Sequence, residues 1–251
     1  MTSSGSEQPG IQLSVVIPAY NEEQRLPEYL ASVMSYLVDN FGSGGEIIVV
    51  DDGSSDATAE TAMNAGSGSG LVRVIRLEQN GGKGHAVKVG MLAAKGSLRL
   101  FTDADGATPI AELGKLVKAI DGGADIAVAS RALRDDSRVV ASKLSRKIIG
   151  TCFNVLVRIF AVPGIRDTQC GFKLFKGAVA QRLFSAQRIP GFGFDPEVLF
   201  LAHMLKYRIA EVPVNWKDVV GSKVNVFNDS LRMFSDLLRI RMYWRTGAYR
   251  N

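Results

Sequence analysis

The chain lacks several features that would assign it to a class at once. Its longest stretch without a charged residue runs from Gln8 to Asn21 and includes a proline, whereas a membrane-spanning helix needs about 20 apolar residues. The first ten residues are polar and do not show the basic start and apolar core of a signal peptide. We therefore expect no transmembrane helix, no signal peptide and a disordered tail over residues 1–10.

Cysteine is scarce, and neither repeats nor long linkers are visible. The two cysteines, Cys152 and Cys170, fit a reducing compartment better than a disulfide scaffold, so we expect a cytoplasmic protein. A chain of 251 residues, 46% of them hydrophobic, is large enough to bury one full core. These absences predict one main folded unit.

Three apolar runs are each followed by a polar turn. The runs span Leu13 to Ile17, Glu46 to Val50 and Ser97 to Thr102, and helical spacing of apolar residues follows the first turn. This alternation predicts an α/β fold with a mostly parallel sheet, in which ligands bind beyond the carboxyl ends of the strands. The three turns should therefore meet in one crevice.

The third turn carries two acids, Asp103 and Asp105. Side chains two apart on an extended segment lie on the same side, so both carboxylates can face one ligand. Mg²⁺ or Mn²⁺ is typically held by one or two carboxylates together with substrate phosphates. Asp105 is our first candidate for a direct ligand, with Asp103 on the metal or on a ribose. The alternative is a solvated turn that binds nothing.

The second turn reads Asp51-Asp52-Gly53-Ser54-Ser55-Asp56. Ser54 or Ser55 is expected to cap the next helix. Capping does not explain two adjacent acids, and Asp52 is placed to accept a hydrogen bond from a nucleotide base.

Four motifs in this order resemble the inverting glycosyltransferases of family 2, which have the GT-A fold. They are Val16-Ile17-Pro18-Ala19-Tyr20-Asn21-Glu22, Val49-Val50-Asp51-Asp52-Gly53-Ser54-Ser55-Asp56, Asn80-Gly81-Gly82-Lys83-Gly84 and Asp103-Ala104-Asp105-Gly106. Three further motifs look like the dolichyl-phosphate glucosyltransferase branch of that family: Asp105-Gly106-Ala107-Thr108, Asp167-Thr168-Gln169-Cys170-Gly171-Phe172-Lys173 and Phe194-Asp195-Pro196-Glu197. The resemblance runs from about Leu13 to about Val226.

The resemblance implies a Rossmann-like GT-A catalytic domain over residues 11–226, with helices on both faces of a mostly parallel sheet. It implies metal-dependent, inverting transfer of a hexose to a polyprenyl phosphate, with glucose from UDP-glucose as the preferred donor. Two alternatives stay open within the family: a GDP-mannose donor, and a soluble alcohol acceptor. A remote alternative is a nucleotide-binding module without catalytic activity.

The donor is expected to contact residues of all three turns and of the glycine-rich loop. In the resembling family the first turn holds the base and ribose, and Lys83 would bring a cation and exposed amides to the nucleotide. A helix cap is the competing explanation for the glycine-rich loop. The predicted donor-binding residues are Pro18, Ala19, Tyr20, Glu22, Asp52, Gly82, Lys83, Asp103 and Ala104.

The acceptor side should carry cations rather than a general base. A phosphate monoester has a second pKa of about 6, so it is already an anionic nucleophile near neutral pH. Arg131 and Lys223 fall where the resembling enzymes place phosphate-contacting residues. Gln169, Asp195 and Glu197 are also assigned to the acceptor side, the two acids to order the pocket or contact the sugar. Asp195 followed by Pro196 also reads as the N-cap and first residue of a helix.

Positive charge is concentrated in two segments of this chain, whose net charge is +5. Arg131 to Arg166 holds eight basic and two acidic residues, and Trp216 to Asn251 holds seven and three. In the second segment, residues 227–251 form a basic amphipathic pattern that predicts a helix at a membrane interface, with Tyr243 and Trp244 fitting the same place. The alternative is that its apolar stripe faces the protein core.

A sequence pI of about 9.2 raises the possibility of a nucleic-acid partner. Such a partner would require basic residues interleaved with stacking aromatics along one groove. Here the positive charge accompanies aliphatic helices and lies away from the acidic turns, so we expect no nucleic acid. The expected partners are a nucleotide sugar, a polyprenyl phosphate and a membrane surface, and the oligomeric state stays open.

Overall fold

The computed structural model describes residues 10–133, 140–141, 164–217, 219 and 226–249. Several predictions fall outside these ranges. They concern the tail before Gly10, the expectation that Cys152 belongs to no disulfide scaffold, most of the basic segment between Arg131 and Arg166, and Lys223.

The described residues form nine strands in two sheets. The strands are β1 (Leu13–Ala19), β2 (Gly45–Asp51), β3 (Val72–Arg76), β4 (Leu98–Thr102), β5 (Ile126–Ser130), β6 (Val140–Ala141), β7 (Phe172–Lys176), β8 (Ile209–Pro213) and β9 (Trp216–Lys217). Seven of them make the central sheet in the order β3-β2-β1-β4-β7-β5-β8, and β6 pairs with β9 in a small parallel sheet. Within the central sheet only β7 runs antiparallel to its neighbours.

In the described part of the chain, seven α-helices connect or cover these strands. They are α1 (Leu26–Phe41), α2 (Thr58–Gly66), α3 (Lys83–Ala93), α4 (Leu113–Asp121), α5 (Gly177–Ala186), α6 (Phe194–Met204) and α7 (Val226–Arg245). Helix α1 begins and ends within the range that its apolar spacing predicts. Its buried residues recur every three or four positions, which is why one side of the helix lies against the sheet.

The sheet is covered on both faces, as its strand composition requires. Every residue of β1 is buried, because a parallel strand in the middle of an α/β sheet is packed on each side. Helices α1, α2 and α4 share a core with Val15, Ile17 and Leu100. Helices α3, α5, α6 and α7 share the other core with Val16 and Phe101. The predicted α/β architecture, mostly parallel with helices on both faces, is confirmed.

Two predicted helix starts are wrong. Ser54 and Ser55 do not cap α2, which begins at Thr58. The N–H of Thr58 donates to Oδ1 of Asp56 at 3.0 Å, and the hydroxyl of Ser54 instead accepts the N–H of Asn21. Helix α6 begins at Phe194 with Gly193 as its N-cap, so Asp195 lies inside the first turn. In both places the side chain expected to cap the helix bonds to another part of the fold instead, Ser54 to the N–H of Asn21 and Asp195 to Lys173.

The C-terminal helix α7 packs against the rest of the domain through part of its surface. Leu237 and Ile240 are buried in the same core as α6, and the Trp244 ring meets Phe200 edge-on at 5.8 Å. Tyr243 and Trp244 are half-buried against this core, and their place at a membrane interface stays a prediction. No helix among the described residues has the length and apolar character to span a bilayer.

Candidate active site

Four strands bring their carboxyl ends to one edge of the sheet. β1, β2 and β4 are mutually parallel, and β5 shares their direction because β7 reverses between β4 and β5. The predicted turns after β1, β2 and β4 and the predicted Arg131 after β5 therefore lie along the same edge. This is where an open α/β sheet binds its ligand.

The turns after β1 and β2 are hydrogen-bonded to one another. Asn21, at φ 54°, donates its N–H to the Ser54 hydroxyl at 2.9 Å, and the Glu22 N–H donates to the Thr58 hydroxyl at 2.7 Å. Pro18 and Ala19, both predicted donor contacts, are buried at the end of β1. The shared hydrogen bonds fix the first turn against the second.

The remaining predicted residues of the first turn differ in exposure. Tyr20, directly after β1, is 42% exposed, so its planar ring is accessible to a ligand. The carboxylate of Glu22 pairs with Arg25, so its charge is already balanced within the turn.

Asp52 holds the glycine-rich loop. Its two carboxylate oxygens accept the N–H groups of Gly81 and Gly82, each at 2.9 Å, and the side chain is almost completely buried. Since the same loop carries Lys83, Asp52 couples the end of β2 to the start of α3. The structure thus gives Asp52 a structural task that the sequence interpretation did not include, while its contact with a base stays a prediction.

Lys83 joins the glycine-rich loop to the third turn. It is the first residue of α3, directly after Gly82 at φ 96°, and its Nζ lies 2.7 Å from Oδ1 of Asp103. Burial acts to lower the pKa of Lys83, but the nearby carboxylates of Asp103 and Asp195 outweigh it and raise that pKa above its usual value. Lys83 is therefore a firmly charged cation in the crevice.

Asp103 and Asp105 lie in the turn that follows β4, beyond the end of the extended strand, and they are close enough for their charges to interact. Burial, and next the charge of Asp103, raise the pKa of Asp105. Oδ1 of Asp105 accepts the N–H of Ala107 at 3.0 Å, and Ala104 between the two acids is buried. The two carboxylates repel each other, and that of Asp105 is also partly desolvated. A divalent cation bound to both would relieve this repulsion.

The carboxylate of Asp103 leaves no room for a side chain at position 171, which is a glycine. The N–H of Asp103 donates to the carbonyl of Gly171 at 3.0 Å, and a Cβ on Gly171 would lie 2.0 Å from Oδ2 of Asp103. Any side chain there would displace the carboxylate. The loop before β7 is therefore shaped around the third turn.

Within the described part of the chain, no group of three or more His, Cys, Asp or Glu side chains converges as a metal cage would. The two carboxylates of Asp103 and Asp105 are enough to hold a hard cation whose other ligands come from substrate phosphates and water.

A buried ion pair lies behind the crevice. Lys173, the second residue of β7, places its Nζ 2.5 Å from Oδ1 of Asp195 and 2.7 Å from the carbonyl of Cys170. Both charged side chains are almost inaccessible. Burial raises the pKa of Asp195, and Lys173 and then Lys83 oppose that effect.

The sequence interpretation assigned no role to Lys173. The available signal was a lysine inside the apolar run Phe172-Lys173-Leu174-Phe175, a violation of strand patterning that often marks a functional site.

Arg131 is held by Asp167 in a bidentate ion pair. Its Nε and Nη2 donate to the two carboxylate oxygens at 2.7 and 3.0 Å, and its backbone N–H adds a third bond at 2.9 Å. Burial acts to lower the pKa of Arg131, and Asp167 more than compensates, so the pKa is raised. The guanidinium lies 5.4 Å from the Trp216 ring centroid. Asp167 thus orients the predicted acceptor cation.

The other acceptor-side predictions separate into two groups. Gln169 lies half-buried in the loop before β7, next to the residues that contact Asp103 and Lys173. Glu197 is fully buried, and its carboxylate accepts hydrogen bonds from the backbone of Arg188 and Ile189 and from Tyr249. Of the two functions foreseen for Glu197, ordering the pocket agrees with these contacts. Lys223 lies outside the described residues.

Two phenylalanines at the start of α6, Phe192 and Phe194, differ in burial. Phe194 is buried against Phe101 at 5.6 Å between ring centroids. Phe192 is 39% exposed, and its ring centroid lies 5.8 Å from Nζ of Lys83. Phe192 therefore presents an apolar surface beside the cation of the crevice.

Comparison with known proteins agrees with this geometry. The family described as "Glycosyl transferase family 2" matches residues 14–184. A "Dolichyl-phosphate beta-glucosyltransferase" of Drosophila melanogaster is 42% identical over 97% of this chain and 78% of its own length. The protein of the same description from Homo sapiens is 41% identical over 97% of this chain and 79% of its own length.

Among solved structures, glucosyl-3-phosphoglycerate synthase from Mycobacterium tuberculosis has a similar fold. Its complex with UDP superposes with a TM-score of 0.69 at 23% identity, over 91% of this chain and 79% of that one. Its complex with Mn²⁺ and UDP-glucose gives 0.68 at 21% identity, over 91% and 78%. The similarity supports the GT-A fold. On its sequence, its fold and the match over residues 14–184, the chain belongs to glycosyltransferase family 2 and is a glycosyltransferase.

Proposed function

We propose that the protein transfers glucose from UDP-glucose to a dolichyl-type polyprenyl phosphate, with inversion at the anomeric carbon. The observation that carries this proposal is the 41–42% identity, over 97% of the chain, to proteins described as dolichyl-phosphate beta-glucosyltransferases. The geometry of the crevice agrees with it, because carboxylates and a charged lysine occur together at the carboxyl edge of the sheet.

The donor half of the reaction is assigned to the first three turns and to the start of α3. The buried end of β1, Tyr20 and Asp52 would contact the base and ribose. Lys83 would neutralise the diphosphate, and the amides at the start of α3 favour the same anionic group.

Asp105 and Asp103 would hold Mg²⁺ or Mn²⁺ together with the diphosphate. A bound divalent cation supplies charge stabilisation to the departing diphosphate. The mutual repulsion of the two carboxylates supports this assignment, because a cation between them removes it. Asp103 would give up its ion pair with Lys83, and Lys83 would then be available to the phosphates.

On the acceptor side, a phosphate monoester is already an anionic nucleophile near neutral pH. The protein therefore has to hold the acceptor in line with the anomeric carbon rather than remove a proton. Arg131 is the cation assigned to this task, since its planar fork suits a phosphate and Asp167 fixes its direction. Lys223 remains a second candidate for the same task, and Gln169 and Asp195 would line the acceptor side.

One assay tests the proposed function directly. UDP-glucose, UDP-galactose, GDP-glucose and GDP-mannose are each offered with a short-chain polyprenyl phosphate or a soluble alcohol, in the presence of Mg²⁺ or Mn²⁺. We expect transfer from UDP-glucose to the polyprenyl phosphate to have the highest kcat/KM. Faster transfer from GDP-mannose, or to the alcohol, would replace this assignment with one of the two alternatives within the family.

Changing Arg131 to Lys should impair use of the acceptor more than binding of the donor. Lysine keeps the charge but loses the bidentate geometry, so we expect kcat/KM for the polyprenyl phosphate to fall about tenfold or more. Binding of UDP-glucose, measured by calorimetry, should change little. Arg182→Lys, at an exposed position on α5, is the matched control. Equal losses for donor and acceptor would contradict the assignment.

We further propose that the protein works at the cytoplasmic surface of a membrane, where its acceptor resides. On α7, Leu238 and Met242 are 53% and 52% exposed, and Arg239, Arg241 and Arg245 share this helix. Exposed apolar side chains among basic residues are typical of helices that lie in a membrane interface. Leu237 and Ile240 of the same helix are buried in the core, so the apolar surface of α7 is divided between a buried part and an exposed part.

Vesicle flotation tests the membrane proposal. The protein should float with vesicles that contain phosphatidylserine and less with neutral phosphatidylcholine vesicles. Replacing both Leu238 and Met242 by serine should reduce flotation. Val38→Ser is the control, because Val38 is 57% exposed on α1, which packs on the opposite face of the sheet. An identical reduction in the Val38 variant, or no flotation of the unmodified protein, would reject the interfacial role of α7.

A further inference from the structure

The C-terminal end of the described chain is hydrogen-bonded to a buried acid of α6. The Tyr249 hydroxyl donates to Oε1 of Glu197 at 2.7 Å, and both side chains are buried. Glu197 also accepts the N–H of Arg188 at 2.9 Å and the N–H of Ile189 at 2.8 Å. A single carboxylate thus fixes both the chain end and the segment before α6.

A second contact joins the same two regions. The guanidinium of Arg188 donates through Nε to the carbonyl of Ala248 at 3.1 Å, and it lies 5.8 Å from the ring centroid of Tyr243. The rings of Tyr243 and Tyr249 pack edge-on at 6.0 Å. Residues 248 and 249 are therefore attached to the 187–191 segment through both side chains and backbone.

The 187–191 segment, in turn, packs against the first turn of α3. Gln187 donates through Nε2 to the carbonyl of Gly84 at 2.9 Å, and Pro190 accepts the N–H of His85 at 3.0 Å. The approach is close. A Cβ on Gly82 would lie 2.6 Å from the Pro190 carbonyl, and one on Gly84 would lie 2.7 Å from that of Ile189.

The first turn of α3 is thereby held on two sides. Asp52 binds the amides of Gly81 and Gly82 from the end of β2, and the 187–191 segment supports the turn from behind. The turn carries Lys83, the cation assigned to the donor diphosphate. A displacement of the supporting segment by even a fraction of an ångström would move the Lys83 amine and the adjacent amides.

We propose that Tyr249 is a positioning residue for the donor site, acting through Glu197 and the 187–191 segment on the turn that carries Lys83. This inference rests on the proposed function of that turn. Burial raises the pKa of Glu197, and the hydroxyl of Tyr249 opposes that effect. Without the hydroxyl, the carboxylate loses one of its three donors and its hold on the segment weakens.

The test compares Tyr249→Phe with Tyr36→Phe, which removes the same hydroxyl from a tyrosine on α1, on the opposite face of the sheet. We expect Tyr249→Phe to raise the Kd and KM for UDP-glucose with Mn²⁺ about tenfold, with a much smaller change in the KM for polyprenyl phosphate. Tyr36→Phe should leave all three constants unchanged. Assays are run well below the melting temperature of each variant, so that loss of folded protein does not affect the measured Kd and KM values.

A double-mutant cycle shows whether the effect passes through Glu197. Glu197→Gln alone should also weaken UDP-glucose binding, and adding Tyr249→Phe should cost little more. Unchanged UDP-glucose affinity in Tyr249→Phe, or a fall in kcat alone that follows the melting temperature, would overturn the inference. If the unmodified protein itself binds no UDP-glucose in the presence of Mn²⁺, the proposed function fails first and this inference fails with it.

Discussion

Asp105→Asn should abolish the metal dependence of donor binding while leaving the fold intact. Asparagine keeps the shape of the side chain but removes the charge that a divalent cation needs. Losing several kcal/mol of charge stabilisation at the leaving diphosphate corresponds to a fall in kcat/KM of about a hundredfold or more. Because Asp103 and burial disfavour the charged form of Asp105, the variant should be no less stable than the unmodified protein.

The measurement is a titration of UDP-glucose with Mn²⁺ and again with EDTA, together with initial rates. In the unmodified protein EDTA should weaken binding strongly, and in Asp105→Asn it should have little further effect. Asp121→Asn, at an exposed position at the end of α4, is the control for removing one acidic charge. Undiminished turnover in Asp105→Asn would reject the metal assignment.

Lys173→Met should destabilise the protein by about 3–5 kcal/mol, because it leaves Asp195 buried without its cation. Asp195 can avoid that cost only by taking up a proton. Its pKa in the folded variant would then exceed the value in the unfolded chain, so the folded state would bind the extra proton. The loss of stability should therefore shrink as the pH falls, by about 1.4 kcal/mol per pH unit at most, down to the pKa of the unfolded chain.

Urea unfolding at several pH values measures this effect. The informative control is the double variant Lys173→Met and Asp195→Asn, which removes both charges and should recover much of the lost stability. If Asp195 also serves the acceptor side, the double variant will be stable but poorly active. A stable, fully active double variant would confine the pair to a structural role, and an unaffected single variant would contradict the ion-pair interpretation itself.

The arrangement of the donor side was predictable because it depends on local patterns. Buried strands read as β-branched runs, and polar residues directly after such a run mark the turn that follows the strand. Because parallel strands have their carboxyl ends on the same side of the sheet, the turns after β1, β2 and β4 then lie along one edge. The sequence interpretation assigned Lys83 and Asp103 to the donor but did not predict their contact, because Lys83 is the first residue of α3, which follows β3, and lies outside these three turns.

The interactions that orient the acceptor side were not predictable from local patterns. Asp167 and Arg131 are 36 positions apart, and Lys173 and Asp195 are 22 apart. Each pair forms because β7 enters the sheet in the reverse direction, and a single sequence gives no direct signal for strand direction. Capping failed at Ser54 for a related reason, since its hydroxyl has a tertiary partner in the turn after β1.

The contacts of Asp52 have a consequence for how a ligand would be received. Both of its oxygens accept hydrogen bonds from main-chain amides of the glycine-rich loop. The backbone of this otherwise flexible loop is therefore ordered before a nucleotide binds. A sugar nucleotide would then lose less free energy to ordering its receptor, and more of its intrinsic affinity would appear as binding. With the loop preorganised in this way, glycine at positions 81 and 82 lets a ligand approach the main chain closely, without the conformational freedom that glycine usually adds.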